Sequence, residues 1–360
     1  MRSLVQFTVC ILLFGTVYFP AQAAFTSLFV FGDGVCTTTN GPGGTYYYGQ
    51  RYCNGRVWVE VLAQRQGLAY NPNKNWSYFG HYSPSLVTNV GSFTNPPDAN
   101  IALFVIWVND ADFVYNMSNY APYTTNNLAV WTNAINQSLS NHVKAIQILY
   151  AKGARTLVMP NAVDITKVPY YVGLPSASKS FVRQRIIDFN AAFAARLDQT
   201  RASLPGLAIY VPDIFALLDN LLAHPADYGL TNALDHGLSV DALSDSSLTD
   251  KSLNGAGANY IFWDYLDPTA KGHAVIADTV QQLIAPVRIS KITSFNGSNR
   301  LDVASIPVGR NGLVEGSTTL LDWATEANIN STTLTQTIFV PLSDELRFYR
   351  LRFPFAWSWP

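Results

Sequence analysis

The stretch FVFGDGVC, residues 29–36, decides the fold. It continues an apolar, β-prone run that begins at Phe25, and the turn at residues 32–34 ends that run. A second apolar run at residues 101–108 has the length and composition of a strand buried on both faces. Buried strands that end in polar turns favour a parallel sheet, whose ligand site lies at the carboxyl ends of its strands.

Helical spacing recurs after these strands. It predicts helices at residues 57–66, 126–151, 176–203 and 268–283, with further strands at 155–159 and 207–211. Strands that alternate with helices predict an α/β domain, in which helices flank a largely parallel sheet. We place this domain at residues 24–287.

The pattern changes after about Pro286. Residues 288–354 alternate short β-prone stretches with turns such as Asn296-Gly297, which predicts a small all-β sandwich at the C-terminal end. Residues 355–360 are expected to form a tail.

Residues 1–23 have the organisation of a secretory signal peptide. Arg2 supplies the positive charge, an apolar stretch follows at residues 4–18, and Ala21-Gln22-Ala23 is a cleavage site. The apolar stretch is shorter than the ~20 residues that span a bilayer. We therefore expect a protein that is secreted, periplasmic or at the cell surface, with no transmembrane segment after signal removal.

The amino-acid composition excludes one class of partner, nucleic acid. Charged residues make up 13% of the chain, the net charge is −1, and Lys and Arg form no cluster, which argues against nucleic-acid binding.

Removal of the signal leaves two cysteines, Cys36 and Cys53. In an oxidising compartment they could form a disulfide. The alternative is two unpaired residues in the core.

Five strings in a fixed order resemble the SGNH/GDSL-type lipase/esterase family. They are FVFGDGVC (29–36), NGRVWVE (54–60), NWSYFGHYS (75–83), ALFVIWVNDADF (102–113) and FWDYLDPTAKGHAVIAD (262–278). The resemblance covers about residues 25–287. It implies the fold of an ester hydrolase with a serine nucleophile, a histidine base and an oriented carboxylate, together with an oxyanion hole.

The residues of that machinery are only partly present. By the resemblance, Asp33 falls on the motif's aspartate, Gly80 on the oxyanion glycine and Asp264 on the triad carboxylate. Gly34 falls on the nucleophilic serine and Asp267 on the catalytic histidine. Glycine has no hydroxyl, and a carboxyl group with an ordinary pKa of about 3.9 is a poor base near neutral pH. The family chemistry is therefore expected to be lost.

The third string fits the family pattern in two registers. Without a gap, Ala111 stands where the family has its oxyanion asparagine, followed by Asp112. With a gap of about two residues, Asn109 and Asp110 themselves form the Asn-Asp pair. The sequence leaves both registers open.

Several carboxylates are expected to converge at one end of the sheet. They are Asp33, Asp110, Asp112, Asp264 and Asp267. Because negative charges that lie close together repel each other, either one carboxylate takes up a proton or a cation lies among them. One hypothesis is a calcium site that involves Asp33, Asp264 and Asp267. The alternative is that these side chains cap helices and accept backbone hydrogen bonds, and no other cofactor is expected.

Three functions remain open from the sequence. The first is a catalytically degenerate protein that keeps the family cleft and binds a small-molecule ester or a glycan, plain or acylated. The second is an active ester hydrolase with a non-standard apparatus around Asp33, Asp264 and Asp267. The third is an exported structural or adhesive protein.

Overall fold

The computed structural model describes residues 25–342, 346–357 and 359. The predicted signal peptide at residues 1–23 lies outside the described residues. No helix in the described part of the chain is both long enough and apolar enough to cross a membrane.

A four-stranded parallel sheet forms the centre of the large domain. Its strands lie in the order β1 (Leu28–Gly32), β2 (Leu103–Trp107), β3 (Thr156–Val158) and β4 (Ala208–Tyr210). Every residue of β1 and β2 is buried, as the unbroken apolar runs predict. The α/β prediction is confirmed.

Seven α-helices among the described residues accompany this sheet. They are α1 (Trp58–Arg65), α2 (Ser83–Ser92), α3 (Asn109–Asn119), α4 (Leu128–Ala151), α5 (Ser176–Ser203), α6 (Ile214–Ala223) and α7 (Ala270–Ile284). One face of the sheet packs against α1 and α7 in one apolar cluster, and the other face packs against α2, α4 and α5 in a second. The sequence pattern predicted α1, α4, α5 and α7 but not α2, α3 or α6.

A small β-domain follows, after a minor hairpin of β5 (Leu234–Asp235) and β6 (Leu238–Ser239). Its strands are β7 (Arg288–Phe295), β8 (Ser298–Ala304), β9 (Gly312–Ser317), β10 (Ala324–Ile329), β11 (Thr335–Pro341) and β12 (Phe348–Arg352). They form two antiparallel sheets, β11-β8-β7 and β10-β9-β12, around a core of their own. Asn296 and Gly297 both have positive φ angles, as a tight turn between β7 and β8 requires.

A buried ion-pair network joins the two domains. Oδ1 of Asp278 on α7 lies 2.8 Å from Nε of Arg65 on α1, and its Oδ2 lies 2.9 Å from Nη1 of Arg310 in the β-domain. The backbone N–H of Val308 also donates to the carbonyl oxygen of Arg65 at 3.1 Å. The β-domain is therefore fixed to α1 and α7.

The segment expected to be a tail packs on the large domain instead. Phe355 and Trp357 lie against its apolar core, and Nζ of Lys271 lies 5.0 Å from the centre of the Trp357 ring. The indole N–H of Trp359 donates to the carbonyl oxygen of Asn54 at 2.9 Å. Burial of aromatic surface keeps these residues on the domain.

The structure has the second of the two alternatives for the cysteines, since Cys36 and Cys53 are separate, buried thiols. The sulfur of Cys36 accepts a hydrogen bond from the indole N–H of Trp58 at 3.3 Å. Burial raises the pKa of both thiols well above the ordinary value, so both are uncharged and unsuited to nucleophilic attack.

Candidate functional site

The turn after β1 places Asp33 and Gly34 at the carboxyl edge of the sheet. Asp33 caps a single helical turn, since its Oδ1 accepts the N–H of Val35 at 3.2 Å. A Cβ atom on Gly32 would lie 2.5 Å from Cβ of Cys36, a distance that two such atoms do not tolerate. Glycine at position 32 is therefore required by the fold.

Gly34 is different, because nothing in its surroundings demands glycine. A Cβ atom there would lie 3.4 Å from Phe79, 3.7 Å from Tyr52 and 3.8 Å from Asp267, which are ordinary contacts. The backbone at Gly34 is also outside the left-handed region. The backbone at position 34 therefore accommodates a side chain, and the missing hydroxyl is not a consequence of crowding.

The segment that carries Gly80 is held against the end of β1. The N–H of Gly32 donates to the hydroxyl of Ser77 at 2.9 Å, and Nδ2 of Asn75 donates to the carbonyl oxygen of Cys36 at 2.8 Å. Gly80 has a φ of +74°, which favours glycine, and it borders the same cavity as Gly34. The predicted oxyanion glycine therefore lies beside position 34.

The third string follows β2, and its residues face different ways. Ala111 borders the cavity, whereas Asn109 is buried and its Nδ2 donates to the carbonyl oxygen of Pro160 at 2.9 Å. Asp110 also borders the cavity, and its Oδ1 accepts the N–H of Val163 at 2.9 Å. This geometry matches the ungapped register, in which a methyl group stands in place of the asparagine amide.

Asp112 is not a cleft residue, which corrects the sequence interpretation. Its carboxylate accepts the N–H of Ser83 at 2.9 Å and the hydroxyl of Ser138 at 2.6 Å. These bonds tie α3 to α2 and α4 behind the cavity wall, so the role of Asp112 is to join helices.

The last string brings two carboxyl groups together. Oδ1 of Asp264 accepts the N–H of Leu266 at 3.0 Å and that of Asp267 at 2.9 Å, and Tyr47 donates its phenol to Oδ2 at 3.2 Å. Asp267 borders the cavity, and burial together with the charge of the nearby Asp264 raises the pKa of its carboxyl group.

Burial raises the pKa of every carboxyl group in this cluster. The pKa of Asp33 rises to about 7 and that of Asp264 to about 6, in both cases because burial removes water from the charge. The pKa of Asp267 is raised well above its usual range by burial and then by the charge of Asp264. For Asp110 the causes are burial and the charge of Asp33. The cluster therefore holds protons near neutral pH.

The calcium hypothesis gains no support from this arrangement. Among the described residues, no group of three or more His, Cys, Asp or Glu side chains is arranged to hold a metal ion. The oxygens of Asp33 and Asp264 are directed at backbone N–H groups instead. Protons on these carboxyl groups, together with hydrogen bonds from backbone N–H groups, explain how the acidic cluster can exist without a cation.

The buried histidines are structural. Burial lowers the pKa of His81 to about 4 and that of His273 to about 3, so both rings are uncharged. Nδ1 of His81 pairs with the carbonyl oxygen of Gly32 at 2.8 Å, and Nδ1 of His273 accepts the N–H of Trp58 at 3.2 Å. Neither ring borders the cavity.

The cavity has a volume of about 370 Å³ and is amphiphilic. Three carboxyl groups, Asp33, Asp110 and Asp267, border it together with Gly34, and its walls are otherwise mainly apolar. Much of this apolar surface comes from side chains that the sequence analysis did not single out: Val114, Val163, Ile165, Val168, Leu217, Leu218, Leu221, Ile261, Leu266 and Ile276. The arrangement suits a small ligand with an apolar body.

Comparison with known proteins now decides the family. The model of the family described as GDSL-like Lipase/Acylhydrolase matches residues 28–280, most of the chain. The chain belongs to this family. The match spans the strings that carry Gly34, Gly80 and Asp267, so the predicted SGNH/GDSL resemblance is confirmed.

The relatives within the GDSL family are distant. A thermolabile hemolysin of Vibrio parahaemolyticus is 22% identical over 244 residues, covering 63% of this chain and 54% of its own length. A GDSL esterase/lipase of Arabidopsis thaliana is 21% identical over 336 residues, covering 73% of this chain and 87% of its own. The alignment thus spans about half of the hemolysin.

A solved structure of similar form is that of an extracellular lipase from Streptomyces rimosus. It has a TM-score of 0.42 at 16% identity and covers 72% of this chain and 99% of the lipase.

Proposed function

We propose that this chain binds an acyl-bearing small molecule in the cavity and does not hydrolyse it. The observation that supports the proposal is that Gly34 and Asp267, which by the sequence resemblance fall on the family's serine and histidine, both border the cavity. No histidine is among the described residues that border the cavity, and Ser118 there donates its hydroxyl to the carbonyl oxygen of Val114. Loss of a serine hydrolase nucleophile costs on the order of a million-fold in kcat.

The walls favour an acylated ligand over a plain glycan. The cavity walls include Leu217, Leu218 and Leu221 of α6 together with Val163 and Val168, whose side chains offer no hydrogen-bond partner. Sugar hydroxyls buried there would lose their bonds to water without replacement, which costs free energy for each group. An acyl chain gains free energy in the same place.

We propose in addition that the mature protein is exported. The support is the signal-peptide pattern of residues 1–23 in the sequence. N-terminal sequencing of protein recovered from outside the cytoplasm should begin near Ala24. A retained Met1 would contradict export through this signal.

The test of the main proposal combines turnover with binding. The mature protein and its Asp264→Ala variant are each incubated with p-nitrophenyl butyrate, and a monoacyl ester is equilibrated with the mature protein and then recovered. We expect background hydrolysis in both proteins and saturable binding of an ester that is recovered intact. The variant Leu218→Trp, which fills the apolar end of the cavity, should abolish that binding.

One outcome would favour the second hypothesis. If the parent hydrolyses the ester and Asp264→Ala does not, the carboxyl groups of Asp33, Asp264 and Asp267 act as a catalytic apparatus, and the proposal of lost catalysis is wrong.

A further inference from the structure

The charge of the cavity is one-sided. Asp33, Asp110 and Asp267 border it, and no Lys, Arg or His does so among the described residues. The other ionisable groups that border it are the phenols of Tyr82 and Tyr115. Behind this layer lie further acidic groups, Asp112 and Asp264, and the phenol of Tyr47. An anionic head group placed at this end would meet no positive partner, and any carboxyl group there that ionises would repel it.

The carboxyl group of Asp267 differs from those of Asp33 and Asp110 in the hydrogen bonds that it accepts. Oδ1 of Asp33 accepts the N–H of Val35, and Oδ1 of Asp110 accepts that of Val163. Asp267 is only 5% exposed, faces the cavity, and accepts no hydrogen bond from an N–H group of the described residues. Burial and then the charge of Asp264 hold the pKa of Asp267 well above its usual range. A buried carboxyl group in this position fits a ligand that donates hydrogen bonds.

Aromatic side chains also border this end of the cavity, and two of its residues are small. Phe79 and Tyr82 border it, and Phe79 is the nearest side chain to the site of a Cβ on Gly34. Aromatic ring faces attract cations. Gly34 and Ala111 are small where the family has larger polar side chains, which leaves room for a head group.

From these three observations we infer that the ligand of this cavity is a single-chain amphiphile with an ammonium head, which lies against Asp33 and Asp267 while the chain lies along α6. The inference rests on the proposed function, because it assigns a ligand class to the proposed binding cavity. An ammonium group supplies the N–H donors and the positive charge that this end lacks.

Binding of such a ligand is coupled to proton release. Burial holds protons on Asp267 and, below a pH of about 7, on Asp33. An ammonium group stabilises the ionised carboxylates, so binding expels protons and the affinity rises as the pH rises through about 7. An alcohol head group releases no proton, and its affinity should not rise with pH in this range.

The experiment compares three probes of equal chain length, decylamine, decanol and decanoate, by titration calorimetry on the full mature protein at concentrations where each is monomeric. We expect decylamine to bind about tenfold or more tightly than decanol, with proton release seen as a dependence of the heat on the buffer, and decanoate to bind most weakly.

Three variants locate the effect. Asp267→Asn and Asp33→Asn keep the shape of the head site, and each should remove most of the preference for decylamine over decanol. Asp198→Asn alters an exposed carboxylate on α5 and should leave the preference unchanged. Thermal unfolding without ligand identifies any variant that fails to fold.

Equal binding of decylamine and decanol, or tighter binding of decanoate, would overturn the ammonium inference but leave the binding cavity intact. If none of the three probes binds, or if Leu218→Trp binds them as the parent does, the proposed function itself fails.

Discussion

A Cβ atom on Gly34 would lie 3.8 Å from Oδ1 of Asp267. Side chains at these two positions would therefore be in direct contact across the end of the cavity. Asp264, which falls on the family's triad carboxylate by the sequence resemblance, accepts hydrogen bonds from two backbone N–H groups, one of them that of Asp267. If positions 34 and 267 are those of the family's serine and histidine, as the sequence resemblance implies, side chains placed there would be within reach of each other.

Restoring the missing side chains should restore hydrolysis. We expect the variant Gly34→Ser/Asp267→His/Ala111→Asn to hydrolyse p-nitrophenyl butyrate measurably above the parent, because it regains nucleophile, base and oxyanion donor together. Leaving out Ala111→Asn should lower its kcat by about a hundredfold, the usual effect of one oxyanion donor. The matched control is Gly34→Ala/Asp267→His/Ala111→Asn, which lacks only the hydroxyl. Equal rates from the two triple variants would contradict the placement.

The proton on Asp267 makes the free energy of unfolding depend on pH. The folded protein keeps the proton on Asp267 to well above the ordinary pKa, whereas the unfolded chain releases it near pH 3.9, so the free energy of unfolding falls as the pH rises from about 4. Asp267→Asn has no such proton. It should therefore be more stable than the parent near pH 7 and equal to it near pH 3.

Denaturant unfolding at several pH values measures this difference, with Asp198→Asn on the protein surface as the control. An Asp267→Asn variant that is less stable than the parent near pH 7 would mean that the carboxylate is ionised and stabilising in the folded state.

The two thiols of the mature chain should be present but protected. Because Cys36 and Cys53 are buried and uncharged, neither should react with a thiol reagent in the folded protein, and both should react once it is unfolded without reductant. Mass measurement of the alkylated protein counts the modified residues. A mass two hydrogens short of the reduced chain would establish a disulfide instead.

The stability of the protein should depend on the ion pairs that Asp278 makes at the interface between the two domains. Arg65→Ala leaves that carboxylate buried with only Arg310, and we expect a loss of about 3 kcal/mol in the free energy of unfolding. Arg201→Ala breaks an exposed pair with Asp198 and should cost less than about 1 kcal/mol. Equal effects from the two substitutions would show that the interface network contributes no more than a surface ion pair.

The sequence predicted those parts of the fold in which one local signal dominates. The buried strands at Phe29 and Val105 read as apolar runs, and Thr269 caps α7 one residue after Pro268. The same strings located Gly34 and Asp267. The turns at these positions carry local caps that a sequence motif can contain, with Val35 N–H on Asp33 and Asp267 N–H on Asp264.

Other parts depend on contacts that no local pattern contains. The orientation of Asn109 is set by the carbonyl oxygen of Pro160, which lies 51 residues away, so the register of the third string could not be chosen beforehand. Helix α6 did carry a signal, since Asp213 caps it and Ile214, Leu218 and Leu221 follow at helical spacing. That signal would have predicted the apolar wall of the cavity.

Gly32 and Gly34 are separated by one residue yet stand under different constraints. A side chain at position 32 would collide with Cys36, whereas one at position 34 meets only ordinary contacts. Selection for folding alone therefore keeps the first glycine and is indifferent to the second. Under the proposed loss of catalysis, the scaffold would stay intact, and a return to catalysis would require new side chains but no rebuilding of the backbone.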